Sequence, residues 1–135
     1  MAVEEMRLEV ITPERIFYEG NVSMAELVTT EGEIGVYPGH IPMTMIIAPG
    51  VLTITKTDGS KKKAALMSGF LEILPDAMNI LAEIAEWPEE IDQDRVKRAR
   101  QRAEERLERK GTDVDLARAE LALKRALIRE RLIEK

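Results

Sequence analysis

The chain has 135 residues, a net charge of −5 and no cysteine. This length bounds it to one medium domain, or to a small domain with an appendage. A disulfide framework and thiolate metal sites are excluded, and the 33% charged and 44% hydrophobic content is typical of a soluble globular protein. No basic and apolar segment opens the chain, so we expect no signal peptide.

Short β-strands are predicted from Met6 to about Ala85. The runs are short, and turn signals separate them about every ten residues. Ile16–Tyr18 and Met24–Thr29 are read as two separate strands because Gly20-Asn21 lies between them. Eight or more such strands predict a β-sandwich, that is, a flattened all-β barrel.

The clearest hairpin signal is Asp58-Gly59. It lies between the predicted strands Gly50–Lys56 and Lys61–Leu66, and this dipeptide favours a tight turn between antiparallel strands. The apolar run Met43–Leu52 is interrupted by Pro49-Gly50 and is too short to cross a membrane. We therefore expect any membrane association to depend on another protein.

A new periodicity starts after Trp87-Pro88, where proline disfavours continuing the strand. The sequence predicts a sandwich domain over residues 1–87, a linker over 88–91 and an antiparallel two-helix hairpin over 92–135. The hairpin segment carries 14 Lys and Arg against 10 Asp and Glu, whereas the first 91 residues carry 6 against 15. This asymmetry indicates that the two parts have different partners.

The hairpin is predicted as helices Asp92–Lys110 and Asp113–Glu134, joined at Gly111-Thr112. Each helix begins at an aspartate, a preferred N-cap, and the first ends before a glycine. The apolar seams contain many alanines, which bury little surface, since each buried methylene contributes only about 0.8 kcal/mol. We interpret the hairpin as a part that can open. A static hairpin packed on a sheet is the alternative.

The motifs of common enzymes are absent. The single histidine, His40, cannot build a zinc site without cysteine, and Gly59-Ser60-Lys61 lacks the spacing of a phosphate-binding loop. Lys61–Lys63 are read as a solvated strand edge. With 4% aromatic residues there are few platforms for base stacking. We expect neither an enzyme nor a nucleic-acid-binding protein.

Four arginines of the hairpin can share one surface. Arg95 and Arg102 are seven residues apart, and Arg125 and Arg129 are four apart, so each pair lies on one helix face. Antiparallel folding brings the two faces together, and guanidinium groups that converge favour a bound polyphosphate. The alternative leaves every arginine in water, loosely paired with nearby carboxylates.

Two carboxylates complete this candidate site. Glu86 and Asp92 lie at the start of the first helix. They would repel phosphate, but they can accept hydrogen bonds from an amino group or a ribose, or bind Mg²⁺.

Three stretches resemble the epsilon subunit family of bacterial F-type ATP synthases. They are EGEIGVYPGHIP at 31–42, SGFLE at 68–72 and RAELALKRA at 118–126. The resemblance covers nearly the whole chain, and it extends to the order of a sandwich followed by a helical hairpin. It implies a non-catalytic regulatory subunit of the central stalk, peripheral on the cytoplasmic face of the membrane.

The resemblance also implies partners for the sandwich. It would bind the gamma subunit and the loops of the membrane ring. Glu33 and His40 are the candidates for contact with the ring.

A motif of the form Ile/Leu-Asp-x-x-Arg-Ala binds ATP in some bacterial members of that family and favours the folded hairpin. Here it reads Ile91-Asp92-Gln93-Asp94-Arg95-Val96, so a larger valine replaces the alanine. The resemblance implies ATP as a regulatory ligand, not a substrate, with Mg²⁺ left open. The ATP-binding residues would be Glu86, Ile91, Asp92, Arg95, Val96, Arg102, Arg125 and Arg129.

For the open hairpin the resemblance implies a different partner, an acidic segment of the catalytic beta subunit. Binding there would inhibit ATP hydrolysis. The candidate residues are Arg118, Lys124, Arg125, Arg129 and Arg131. Two alternatives stay open: a purely structural rotor adaptor without nucleotide sensing, and inhibition that ATP does not control.

Overall fold

A computed structural model describes residues 4–109 and 112–134, the side chains of residues 113, 114 and 134 excepted. The chain divides into two compact units, Met1–Glu86 and Trp87–Lys135. The predicted junction at Gly111 lies outside the described residues. None of the helices in the described ranges is long and apolar enough to cross a lipid bilayer.

Over residues 4–86, the first unit is a nine-stranded sheet. Its strands follow in the order β1-β8-β7-β4-β2-β5-β6-β9, with β3 paired to β2. The sheet closes on itself because β1 pairs with both β8 and β2, and β2 also pairs with β4. The predicted β-sandwich is confirmed. The strands are β1 Met6–Ile11, β2 Ile16–Thr29, β3 Gly32–Val36, β4 Met43–Ile47, β5 Gly50–Lys56, β6 Lys61–Leu66, β7 Gly69–Leu74, β8 Ala77–Ala82 and β9 Ala85–Glu86.

The long strand β2 differs from the prediction of two short strands. It runs without a break from Ile16 to Thr29, because β1 pairs with it through Gly20 and Asn21 and so keeps those residues extended. Beyond this point β5 and β3 continue the pairing. β2 therefore has partners on both edges, and its pairing with β1 closes the sheet.

The core of this unit is built by alternation along the strands. In β1, Met6 and Leu8 are buried, while Arg7 between them is exposed. The predicted hairpin around Asp58-Gly59 has the expected bounds, and Gly59 has a positive φ of 88°. The largest fully buried side chains are Met6, Leu8, Leu52, Ile54, Leu66, Met67, Leu71, Ile73, Met78, Ile80, Val10 and Val22.

The second unit is helical. It contains a 3-10 turn, Pro88–Glu90, then α1, Gln93–Glu108, and α2, Asp113–Glu134. The two long helices pack against each other. On α1 the buried residues are Val96 and Ala103. Those buried on α2 are Ala119, Ala126, Ile128 and Leu132.

Candidate functional site

The helical unit begins with a turn that leads into α1. Within the predicted linker, Pro88–Glu90 form a 3-10 turn, and Glu90 Oε1 accepts a hydrogen bond from the Trp87 backbone N–H at 2.9 Å. Asp92 then caps α1, since its Oδ1 accepts from the Arg95 backbone N–H at 3.1 Å. The predicted N-cap role of Asp92 is confirmed.

The cap of α2 is Thr112 and not the predicted Asp113. Thr112 Oγ1 accepts a hydrogen bond from the Asp115 backbone N–H at 3.2 Å, and the Thr112 carbonyl accepts from the Leu116 N–H at 2.9 Å. Asp113 is the first residue of the helix. A threonine hydroxyl satisfies a free N–H of the first turn as an aspartate would, so either residue was a plausible cap.

An ion pair joins the two helices. Arg100 Nη1 lies 2.8 Å from Glu130 Oε1 and 3.2 Å from Oε2, and Arg100 Nε lies 3.5 Å from Glu104 Oε2. The hydrogen bond to Glu130, followed by the charges of Glu130 and Glu104, raises the pKa of Arg100 above its ordinary value. Arg100 thus connects its own helix to α2.

The position of this ion pair identifies the two rims of the helix–helix interface. With 3.6 residues per turn, Arg100 lies close to Val96 on α1, and Glu130 lies close to Ala126 on α2. Both charged residues are on the same rim, as their contact shows. The rim that contains Arg100 and Glu130 is called the ion-pair rim below.

The four predicted anion-binding arginines lie on the other rim. Around the axis of α1, Arg95 and Arg102 lie about a third of a turn from the buried residues Val96 and Ala103, on the side away from Arg100. Around the axis of α2, Arg125 and Arg129 lie between about a sixth and a third of a turn from the buried Ala126, on the side away from Glu130. The ion pair thus brings both arginine pairs to one side of the unit, which is called the arginine rim below.

One donor group of Arg125 is buried without a hydrogen-bond acceptor among the described residues. Its Nε is buried and has no hydrogen-bond partner in the described part of the chain. A buried donor without an acceptor is costly. Arg129 is half-buried one turn further along α2, whereas Arg95 and Arg102 are exposed. An anion on the arginine rim could supply the acceptor that Arg125 lacks.

The remaining predicted ATP-binding residues differ in exposure. Asp92 is exposed and uses one carboxylate oxygen for the cap, while Ile91 is half-buried. Val96 is only 6% exposed, so its methyl groups already pack inside the unit. The predicted position of Glu86 at the start of the first helix is wrong, because Glu86 is the half-buried last residue of β9, in the first unit. Within the described residues no three His, Asp or Glu side chains cluster to hold a metal ion.

The predicted contacts for an acidic partner fall on two faces of α2. Arg118, Lys124 and Arg131 are exposed, and Arg125 and Arg129 are half-buried. Lys124 and Arg131 are seven residues apart and point away from the seam, whereas Arg125 and Arg129 belong to the arginine rim. An anion on that rim therefore leaves Lys124 and Arg131 accessible.

In the sandwich, His40 lies in a turn, where its backbone and its side chain each make a hydrogen bond. The His40 backbone N–H donates to the Tyr37 carbonyl at 3.2 Å, and its Nδ1 lies 2.9 Å from the Ile41 carbonyl. Tyr37 and Ile41 beside it are 58% and 75% exposed. Glu33 is exposed on β3. The two apolar neighbours were not predicted, although exposed apolar residues beside a turn commonly mark a contact surface.

A second feature absent from the prediction is an apolar row across the sheet. It runs in register through the five residues Ile46, Phe70, Leu81, Ile11 and Ile16, on strands β4, β7, β8, β1 and β2. All except the half-buried Ile11 are between 41% and 62% exposed. The signal in the sequence was the run Met43–Leu52, which is apolar on both faces of its strands.

An open pocket of about 420 Å³ lies at this apolar row. At its edge, Ser68 Oγ donates to Glu83 Oε2 at 2.8 Å. The pocket could take one apolar side chain of a partner. Its lining residues are Ile11, Thr12, Pro13, Gly69, Phe70, Leu81, Ala82 and Glu83.

Comparisons with known proteins match both units. Residues 5–88 match the family "ATP synthase, Delta/Epsilon chain, beta-sandwich domain", and residues 89–134 match "ATP synthase, Delta/Epsilon chain, long alpha-helix domain". The chain belongs to the delta/epsilon family of ATP synthase subunits. This membership confirms the expected family and the prediction of a non-catalytic subunit.

Individual members of the delta/epsilon family are similar over nearly their whole length. The ATP synthase epsilon chain of Caldanaerobacter subterraneus subsp. tengcongensis is 46% identical, over 95% of this chain and 93% of that protein. That of Caldicellulosiruptor bescii is 45% identical, over 96% and 94%. A chain of the Euglena gracilis mitochondrial ATP synthase structure has the same fold, with a TM-score of 0.83 and 23% identity, over 94% of this chain and 80% of that chain.

Proposed function

We propose that this protein is the epsilon subunit of a bacterial F-type ATP synthase, peripheral on the cytoplasmic face of the membrane. The observation that carries this proposal is the match of both units to the delta/epsilon family, over residues 5–88 and 89–134. The experiment is to reconstitute the synthase complex with and without this chain. Loss of coupling between hydrolysis and proton transport in its absence is the expected result.

The sandwich is proposed to link the gamma subunit to the loops of the membrane ring. The apolar row supports the gamma contact, because side chains exposed by up to 62% in one contiguous row gain most by being covered. Glu33 and His40, with Tyr37 and Ile41 beside them, are proposed for the ring. Co-purification of gamma and ring subunits with tagged variants of each surface tests the assignment.

The arginine rim is proposed to bind ATP as a regulatory ligand. The buried Nε of Arg125 supports an anion there, since an incoming phosphate oxygen would replace the acceptor that the protein does not provide. Asp92 would accept from the amino or ribose groups or hold Mg²⁺, to which ATP phosphates contribute most ligands. In this proposal ATP is a ligand that is sensed and not a substrate that is hydrolysed.

ATP that binds only the folded hairpin stabilises that state by RT ln(1 + [L]/Kd), about 2.7 kcal/mol at a hundredfold excess over Kd. When ATP falls, α2 is released. As a helix of 22 residues it would reach about 33 Å toward an acidic segment of the catalytic beta subunit. There Arg118, Lys124 and Arg131, together with Arg125 and Arg129 once ATP has left them, would bind carboxylates and hinder rotation in the direction of hydrolysis.

Calorimetric titration of the full chain with ATP tests the sensing part. We expect saturable binding that Arg125→Ala weakens, with Lys97→Ala as control, because Lys97 is exposed on the side of α1 away from Arg95 and Arg102. Absence of heat would leave the structural rotor adaptor. Hydrolysis by the assembled complex with and without residues 92–135 then separates inhibition from adaptor function, and repeating it over a range of ATP concentrations separates ATP-controlled from uncontrolled inhibition.

A further inference from the structure

We propose that the Arg100–Glu130 ion pair is the positioning contact of the hairpin: it closes α1 onto α2 and so determines which rim the four arginines share. Arg100 and Glu130 are not among the residues proposed to touch ATP or the beta subunit. Their effect on the nucleotide site rests on the proposed function, while their effect on closure does not.

The direction of the two side chains fits this role. In antiparallel helices each side chain leans toward the N-terminus of its own helix. Arg100 and Glu130 therefore reach toward each other along the axis of the hairpin, and one guanidinium nitrogen contacts both carboxylate oxygens, at 2.8 and 3.2 Å. A contact of this geometry resists both separation of the helices and sliding of one along the other.

The surroundings make the ion pair more consequential than an isolated surface pair. The buried residues near it are few and small: Val96 and Ala103 on α1 and Ala126 on α2. Two helices that meet through alanines can pack in many alternative registers without a steric penalty. These buried residues therefore specify the alignment of α1 with α2 only weakly. A charged pair with one geometry supplies the specificity that such a seam lacks, as polar residues do in helical coiled coils.

The ion pair also explains why the arginine rim can exist. Four guanidinium groups repel one another and favour rotation or separation of the helices when no anion is bound. Glu130 attracts Arg100 on the opposite rim and opposes that rotation. The ion pair thus holds the anion site assembled before the anion arrives, and a site already assembled binds more tightly than one that must form.

A double-mutant cycle measured by amide hydrogen exchange on the full chain without nucleotide tests closure. A separated helix as short as α1 is only marginally stable in water, so exchange in α1 and α2 reports helix separation. We expect Arg100→Gln and Glu130→Gln each to speed exchange about two- to fivefold, the range for partly exposed ion pairs. The double variant should exchange no faster than either single variant, because removing one partner already abolishes the contact.

Arg98→Gln and Glu105→Gln are the matched controls, since both residues are exposed and face away from the seam. They should leave exchange unchanged. Additive effects in the double variant, or equal effects in the controls, overturn the proposal. Circular dichroism of every variant verifies that helical content is retained.

Repeating the exchange measurement with saturating ATP separates this proposal from the proposed function. If ATP binds the closed hairpin, it restores protection in Arg100→Gln and Glu130→Gln alike. If ATP changes exchange in no variant, including the unaltered chain, while the cycle stays non-additive, the nucleotide site fails and the positioning contact stands. If ATP protects all variants but the cycle is additive, the positioning contact fails and the nucleotide site stands.

Discussion

Gly69 lies so close to Leu81 that a Cβ on residue 69 would stand 1.9 Å from the Leu81 carbonyl oxygen. Gly69 also has a φ of 141°, a conformation that other residues rarely adopt. We expect Gly69→Ala to destabilise the sandwich by about 3 kcal/mol or more, because strain and a clash with backbone act together. Urea unfolding followed by the β-sheet circular dichroism signal measures the change. In Gly59→Ala, where φ is 88° but no atom lies within 4 Å, the loss should be only about 1 kcal/mol. Equal losses would mean that β7 moves away from β8 at little cost.

The apolar row predicts where the partner subunit binds. We expect Phe70→Ser with Leu81→Ser to weaken binding of the gamma subunit at least about tenfold, since central apolar residues contribute most to an interface. The unfolding free energy of the isolated chain should change little, because both side chains are more than 40% exposed. Surface plasmon resonance with purified gamma subunit gives the affinity. Tyr37→Ser, outside the row, is the control that should bind gamma normally, and unaltered affinity of the double variant would contradict the assignment.

Asp92 is predicted to have two separable roles, as the cap of α1 and as a ligand of ATP or Mg²⁺. Asp92→Asn keeps an oxygen for the Arg95 N–H but removes the charge, while Asp92→Ala removes both. We expect Ala to destabilise the helical unit by about 1 kcal/mol and Asn to leave it nearly unchanged. Thermal unfolding measures the first role and ATP calorimetry the second. If the Asp92→Asn variant binds ATP as tightly as the unaltered chain does, the Asp92 carboxylate serves only as a cap.

The two faces of α2 predict two classes of variant. Arg125→Ala with Arg129→Ala should weaken ATP binding at least about tenfold and also weaken inhibition, because charge-assisted hydrogen bonds to phosphate contribute about 1.5–3 kcal/mol each. Lys124→Ala with Arg131→Ala should weaken inhibition alone, since these exposed residues point away from the arginine rim. ATP calorimetry and hydrolysis by the reconstituted complex measure the two effects. An Arg125/Arg129 double variant that still binds ATP and inhibits fully would refute the shared use of these arginines.

The Asp58 turn predicts a local pH dependence. A hydrogen bond from the Ser60 hydroxyl at 2.6 Å, and then one from the Ser60 N–H at 2.9 Å, hold the pKa of Asp58 below its ordinary value. A lowered pKa in the folded chain stabilises it above the unfolded pKa, and that contribution is lost as pH falls through the folded pKa. Ser60→Ala should therefore shift the Asp58 titration to higher pH in carboxyl NMR spectra. Ser23→Ala, whose hydroxyl donates to backbone carbonyls, should leave it in place.

Local turn chemistry was read correctly where no distant strand competed. Asp58-Gly59 predicted the bounds of β5 and β6 because a two-strand hairpin depends on its own turn. Gly20-Asn21 was misread as a turn, since pairing with β1 keeps these residues extended within β2. That pairing joins residues 12 and 14 positions apart, and alternation within a short window contains no information about it.

The arginine rim could be predicted from the sequence, but the ion pair on the opposite rim could not. Helical spacing alone places Arg95 with Arg102 and Arg125 with Arg129. The pairing of Glu130 with Arg100 could not be predicted, because it depends on which rims of the two helices meet. Exposure of Leu121 and Leu127, at 41% and 42%, was also not foreseen. An amphipathic pattern as diffuse as that of α2 does not specify which apolar residues are covered.

The parallel pairing of β1 with β8 has a consequence for how the chain folds as it is synthesised. Residues 7–11 find their partners only at 77–81, so the N-terminal strand must wait for most of the sandwich to emerge. Until then its neighbour is the first half of β2, and a ribbon of these two strands leaves the other edge of β1 open. Contacts that distant in sequence form slowly, whereas α1 and α2 adjoin one another in the chain. Closure of the sandwich, and not helix formation, is therefore the step at which a nascent molecule is exposed to aggregation.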